Sequence, residues 1–189
     1  MDLSKLLRFA SEFFISCAGI TSDQLDLIRD FNNHQVKYVV IGGMAMDLLG
    51  FRESSSDIDF FVESSLENSQ RIFKALVDFG FPVRHMGVTP DMFSPTERGP
   101  AHNLRIGSNV EILANIKEIK IPFSTAWNAK NVIDVKGMKV NVLTPQGIAT
   151  MKGESTRSRD KEDMEILRQK GISAPSPNIV EEEEDDNAS

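Results

Sequence analysis

Apolar residues recur along the chain with two periods, every three or four positions in some segments and every second position in others. The longer period predicts helices over residues 3–17, 21–34, 44–49, 65–80, 144–152 and 158–170. Strands are predicted at "KYVVI", "DIDFFV" and "NVEIL", and a hairpin over 131–143 that turns at "KG". Segment 82–107 fits neither period. Because strands and helices alternate, we expect an α/β (α+β) fold with a mixed β-sheet flanked by helices.

The two ends of the chain differ from its middle. Residues 1–19 carry Leu, Ala and Phe at helical spacing between charged residues, which predicts an amphipathic helix packed on the body or on a second copy of the chain. The last residues, 173–189, are rich in Pro, Ser and acids, a composition typical of a disordered acidic tail. We therefore expect a single folded domain over residues 20–172.

Negative charge is concentrated in this tail. The formal net charge is −7, and the six consecutive acids "EEEEDD" supply −6 of it, so the rest of the chain carries −1. A nearly neutral body lacks the basic field of a dedicated nucleic-acid-binding protein. Cys17 is the one cysteine, which excludes an internal disulfide and favours a reducing cytoplasm. No apolar run approaches the roughly 18 residues of a membrane span, so we expect no membrane contact.

Two carboxylates, Asp57 and Asp59, stand one residue apart in an otherwise apolar strand. Residues i and i+2 of a strand point to the same face, so these side chains project together while Ile58 and Phe60 point to the other side. Two anions held this close repel each other unless a cation lies between them. Carboxylate oxygens suit Mg²⁺ or Mn²⁺, and proteins hold Mg²⁺ with one or two carboxylates and the phosphates of a substrate.

Two further features strengthen this pattern. Gly42 and Gly43 follow a strand and open a helix, where their amide groups can face a phosphate. Glu111 interrupts the apolar segment "VEIL", which we expect to be a neighbouring strand. Three carboxylates can hold two cations about 3.5–4 Å apart for in-line phosphoryl or nucleotidyl transfer. Each feature alone is common on solvated strands and turns, but their combination favours a phosphate-transfer site.

The run "GGMAMDLLGFRESSSDIDFFV" resembles the polymerase-beta-type nucleotidyltransferase superfamily, and within it is similar to the minimal nucleotidyltransferases and abortive-infection toxin proteins. The residues that carry this resemblance are Gly42, Gly43, Ala45, Gly50, Arg52, Asp57 and Asp59. Downstream, "MKVNVLTPQGIATMKGESTRSRDKEDMEIL" is similar to the family's strand, helix with a lysine, and charged stretch. The matching positions there are Lys152, Arg159, Lys161 and Asp163.

The resemblance implies a nucleotidyltransferase domain over residues 20–172. It also implies a Mg²⁺- or Mn²⁺-dependent transfer of a nucleoside monophosphate from an NTP, such as ATP, to an acceptor hydroxyl. The implied catalytic and metal-binding residues are Asp57, Asp59 and Glu111. The implied nucleotide-binding residues are Gly42, Gly43, Arg52, Ser56 and Lys152.

Several alternatives stay open at this point. The acceptor is an RNA end such as tRNA, a protein, or a small molecule, and a role in a toxin–antitoxin pair would supply a protein partner. The runner-up interpretation is a catalytically inactive protein of this fold that serves as a binding partner. Phe123 and Trp127 are expected in the core rather than on a base-stacking surface. The basic residues from Lys152 to Lys161 alternate with acids, which favours an ion-paired helix face.

Overall fold

The computed structural model describes residues 19–52, 55–97, 99–115, 121–153 and 155–174. The helix predicted over 3–17 lies outside these residues, as does the predicted tail beyond residue 174. The described helices are α1 Ser22–Asn33, α2 Gly42–Leu48, α3 Leu66–Asp78, α4 Phe123–Asn128, α5 Pro145–Lys152 and α6 Ser158–Gln169. The described strands are β1 Tyr38–Ile41, β2 Ile58–Val62, β3 Leu104–Ile106, β4 Val110–Leu113, β5 Asn131–Val135 and β6 Met138–Val142. None of these helices is long and apolar enough to cross a membrane.

The six strands form one mixed sheet in the order β3-β4-β2-β1-β6-β5. At its centre β2 runs antiparallel to β1 and parallel to β4, while β1 runs parallel to β6. The pairs β3–β4 and β5–β6 are antiparallel and form the two edges. The predicted α/β (α+β) fold with a mixed sheet is confirmed. Strand β3 and helix α4 were not predicted.

Local sequence signals explain where helices α1 and α5 begin and where the β5–β6 hairpin turns. Thr21 caps α1 by a capping box, in which its hydroxyl accepts from the Gln24 amide and the Gln24 side chain accepts from the Thr21 amide. Thr144 caps α5, with Pro145 at the first helical position, as predicted. The hairpin of β5 and β6 turns at Lys136 and Gly137, both at positive φ (53° and 81°).

The packing of the core shows which face of the sheet is covered by helices α1 and α3. Phe31 of α1, Tyr38 of β1 and Phe60 of β2 pack with ring centroids 5.1–5.7 Å apart, and none of the three is exposed. Helix α3 packs beside α1. Because side chains alternate along a strand, Asp59 points to the face opposite Phe60. Helices α1 and α3 therefore cover one face, and the acidic pair belongs to the other.

Candidate active site

The acidic residues of the predicted site come together on two parallel strands. Asp59 is the second residue of β2, and its register partner on β4 is Glu111. Asp57 directly precedes β2 and lies two residues from Asp59, with Ile58 buried between them. The prediction that Glu111 belongs to a strand beside the acidic strand is confirmed.

Crowding of these carboxylates changes the protonation of the central one. Burial, followed by the negative charges of Glu111 and Asp57, raises the pKa of Asp59 to about 6. Arg105 and Lys152 oppose this rise. Arg105 lies on β3 as the register partner of Glu111, so Arg105, Glu111 and Asp59 form one row across three strands. Burial and the two neighbouring carboxylates together thus outweigh the stabilisation of the ionised Asp59 by Arg105 and Lys152.

The glycine pair lies against this row and against the cavity wall. Gly42 begins α2 with φ of +69°, and a Cβ there would lie 2.6 Å from Oδ2 of Asp59. A Cβ at Gly43 would lie 2.5 Å from Nη2 of Arg52 and 2.8 Å from Oγ of Ser55. Any side chain at either position would displace a polar group of the site. Glycine is required at both positions for this close approach, and at Gly42 also for the backbone conformation.

A network of ion pairs forms the cationic part of the site. Arg52 donates from Nη1 to Oδ1 of Asp163 at 2.7 Å and from Nε to Oδ1 of Asp47 at 3.3 Å. Lys152 contacts Oδ2 of Asp163 at 2.7 Å and makes a short contact with Asp160. Burial alone would raise the pKa of Asp160, but the hydrogen bonds from Lys152 and Ser155 and the charges of Lys152 and Arg157 together outweigh it and lower this pKa. For the basic residues from Lys152 to Lys161 the sequence favoured an ion-paired helix face, and Lys152 does pair with Asp160 of this stretch.

Both the acidic row and the cations line one cavity of about 770 Å³. Seven of the eight predicted site residues line it: Gly42, Gly43, Arg52, Asp57, Asp59, Glu111 and Lys152. Ser56 is not in the lining, although its hydroxyl donates to Oδ1 of Asp57 at 3.1 Å, and the neighbouring Ser55 lines the cavity in its place. The volume lies within the range of sites that hold a nucleotide-sized ligand.

Metal binding by the three acids stays a prediction. Among the described residues, no three carboxylate, imidazole or thiol side chains converge closely enough to coordinate one ion. Mg²⁺ seldom needs such a closed cage, because one or two carboxylates and substrate phosphates usually hold it. Burial and the charges of Glu111 and Asp57 disfavour the ionised form of Asp59, a penalty that a bound cation would offset, and the oxygen donors match the preference of this ion. The residues present therefore fit a metal that arrives with a nucleotide.

Sequence patterns did not single out two residues that act on the site. Gln24 of α1 is fully buried and donates from Nε2 to the carbonyls of Ser56, at 2.8 Å, and Asn109, at 3.0 Å. These carbonyls lie directly before Asp57 and two residues before Glu111. The second residue is Arg105, whose charge opposes the rise in the pKa of Asp59. It was missed because β3 has three residues, too few to show a strand period. Phe123 and Trp127 stack 6.0 Å apart beside Phe61, outside the cavity lining, as the core interpretation expects.

Comparison with known proteins identifies the family. A family model described as "Nucleotidyl transferase of unknown function (DUF2204)" matches residues 21–183. No curated protein and no solved structure gives a significant match to the chain. The matched range covers most of the 189 residues and contains every residue of the cavity lining. The resemblance to nucleotidyltransferases is thereby confirmed, and the chain belongs to this family of nucleotidyl transferases of unknown function.

Proposed function

We propose that this protein is a Mg²⁺-dependent nucleotidyltransferase that moves a nucleoside monophosphate from an NTP to an acceptor hydroxyl. One observation carries the proposal: a single cavity is lined by an acidic wall, Asp57, Asp59 and Glu111, and by a cationic wall that includes Arg52 and Lys152. Metal-binding oxygens thus share one cavity with groups that can bind phosphate. A triphosphate in this cavity would meet both.

The acidic wall would serve the reacting end of the nucleotide. Asp57 and Asp59 would hold the metal that the triphosphate carries, and Glu111 would complete the oxygen donors next to Asp59. A bound Mg²⁺ supplies Lewis-acid polarisation of the phosphate and a lower pKa for the attacking hydroxyl. In the transfer, a bond forms between the acceptor oxygen and the α-phosphorus while the α–β phosphate bond breaks. The hydroxyl proton is lost and pyrophosphate leaves.

The cationic wall would serve the leaving group. Fixed donors that face developing negative charge accelerate such a step because they need no reorganisation when the charge appears. Nη2 of Arg52 lies beside Gly43 and makes no hydrogen bond to a described residue. The ammonium of Lys152 has three N–H donors and contacts two carboxylates. Both side chains line the cavity and retain donors for phosphate oxygens.

The direct test incubates the protein with each of four NTPs labelled at the α-phosphate, with Mg²⁺ or Mn²⁺, and with separate pools of RNA, proteins and cationic small molecules. We expect label in one acceptor pool, lost when Asp59→Asn replaces the wild type. Asp134→Asn is the matched control, since Asp134 is an exposed carboxylate on the β5–β6 hairpin. Absence of transfer and of nucleotide binding under all these conditions would favour the inactive binding-partner interpretation instead.

A further inference from the structure

Asp163 of α6 is a charged side chain with no exposed surface that contacts two of the four cations lining the cavity, Arg52 and Lys152. Its Oδ1 accepts from Nη1 of Arg52 and its Oδ2 lies 2.7 Å from Nζ of Lys152. Oδ2 has no aligned hydrogen-bond donor among the described residues, so the ion pair with Lys152 is what compensates its burial. This buried carboxylate thus links Arg52, which follows α2, to Lys152 at the end of α5. Arg52 and Asp163 are 111 residues apart in sequence.

The contacts of Arg52 show how Asp163 fixes the orientation of the guanidinium group. Asp163 and Asp47 hold two of the three guanidinium nitrogens, Nη1 and Nε. The third nitrogen, Nη2, then lies beside Gly43 at the cavity. The side chain of Arg52 is only 12% exposed and Asp47 only 1%, so this orientation is fixed by packing as well as by charge. Planar Arg–carboxylate pairs impose direction, which an isolated lysine–carboxylate contact does not.

We propose that Asp163 is a positioning residue for nucleotide binding, which aims Arg52 and Lys152 at the phosphates without touching the nucleotide itself. The inference rests on the proposed function. Asp163 is absent from the cavity lining, whereas Arg52 and Lys152 both belong to it. A buried ion pair is a poor device for stability, because apolar side chains of the same volume often stabilise a fold equally well or better. Its value here is the fixed direction of two cations.

The test compares Asp163→Asn with Glu165→Gln. Both changes remove one carboxylate charge from α6, but Glu165 is exposed and bonded only to Gln169 among described residues. Binding of the α,β-methylene analogues of four NTPs is measured by calorimetry with Mg²⁺, and Mn²⁺ binding without nucleotide by electron paramagnetic resonance. We expect Asp163→Asn to weaken analogue binding about tenfold or more, as the loss of hydrogen bonds to charged groups does. Mn²⁺ affinity should stay within about twofold, since the carboxylates of the acidic wall are unchanged.

A purely structural role would give a different pattern. It predicts that folded Asp163→Asn binds the analogue as tightly as Glu165→Gln does, and that outcome overturns the proposal. Should Asp163→Asn fail to fold by circular dichroism, Asp163→Glu keeps the charge and shifts its position by one methylene. It should then bind the analogue more weakly than wild type while its thermal transition remains cooperative, and unchanged binding would again overturn the proposal. Absence of analogue binding by the wild type would instead reject the proposed function.

Discussion

A Cβ at Gly42 would lie 2.6 Å from Oδ2 of Asp59, so the first residue of α2 and the central acid of β2 share one space. Gly42 also has φ of +69°, in the left-handed region that side chains disfavour. Two constraints thus favour glycine at position 42: the left-handed backbone conformation and the close approach of Asp59. A comparison with a glycine that has only the first constraint can separate their effects.

Gly42→Ala and Gly50→Ala form a matched pair for this purpose. Gly50 has φ of +73°, but nothing lies within 4 Å of a Cβ placed there. Both variants should lose about 1–2 kcal/mol of unfolding free energy from the left-handed backbone alone. Only Gly42→Ala should displace Asp59 and lower the transfer rate, by about a hundredfold for a shift near 1 Å. Equal transfer rates in both variants would contradict the close approach of Gly42 to Asp59.

Asp59→Asn should stabilise the metal-free protein. Because burial and neighbouring acids raise the pKa of Asp59 to about 6 in the folded state, ionisation of this group opposes folding above that pH. As the pH falls through about 4, the pKa of an unfolded aspartate, the carboxyl becomes protonated in both states and the stability difference between the two proteins should shrink towards zero. Above about pH 6, Asp59→Asn should be more stable by about 1–2 kcal/mol, after allowance for solvent screening of a partly exposed group.

Urea unfolding in EDTA at pH 4 and pH 8 measures this difference. Asp134→Asn provides the control, since hydrogen bonds from Lys139 and the Gly137 amide lower the pKa of Asp134 and its loss should not stabilise the fold. A gain for Asp59→Asn that is the same at both pH values would show that ionisation of the buried, crowded Asp59 carboxyl is not its cause.

Gln24→Leu should weaken both the fold and the site. The buried amide donates to the carbonyls of Ser56 and Asn109, at the starts of the two strands that carry the acids. Removal takes this donor from the Ser56 carbonyl and leaves the Asn109 carbonyl with the Ile58 amide alone, at a cost of about 1–3 kcal/mol for the two hydrogen bonds. Mn²⁺ affinity should fall as well, because the Gln24 amide ties the start of β2 to the start of β4. Gln169→Leu, on an exposed helix end, should change the unfolding free energy by less than about 0.5 kcal/mol.

Arg105→Gln should increase the affinity for Mn²⁺. Arg105 is exposed, is the register partner of Glu111, and makes no side-chain hydrogen bond or ion pair to another described residue. The positive charge of Arg105 repels a divalent cation bound at Glu111 and Asp59, and so lowers the affinity of these carboxylates for it. At pH 8 we expect binding about two- to threefold tighter at low ionic strength, and the difference should shrink in salt as the Debye length falls. Lys139→Gln, on an exposed side chain of β6, should have no effect. Weaker Mn²⁺ binding by Arg105→Gln would contradict this charge competition.

The acidic strand, the strand of Glu111 and the glycine pair could be predicted from the sequence because their signals are local. The alternation around Asp57 and Asp59 sets their common face, and apolar neighbours mark Glu111 as a strand residue. The glycine pair at the start of α2 was likewise visible. Each of these inferences needs only the two-residue period of a strand or the preference of a turn for glycine.

Long-range relationships could not be predicted in the same way. The parallel pairing of β2 with β4 skips β3, so sequence order does not show it. Strand β3 has three residues, too few for an alternation, and Arg105 was missed with it. Gln24 has the position of an ordinary capping-box residue, although its Nε2 reaches Asn109, 85 residues away. Asp163 was noted within a charged stretch, but only the fold shows that it contacts Arg52 and Lys152.

The most direct test of the central claim is a Mn²⁺ titration followed by electron paramagnetic resonance, with and without an α,β-methylene NTP analogue, in wild type, Asp59→Asn and the control Asp134→Asn. The account predicts that wild type and Asp134→Asn bind Mn²⁺ more tightly when the analogue is present. It predicts that Asp59→Asn loses at least about tenfold in that affinity, as expected when a charged ligand is removed. Identical titrations for wild type and Asp59→Asn would contradict the claim that these acids hold a metal beneath a nucleotide's phosphates.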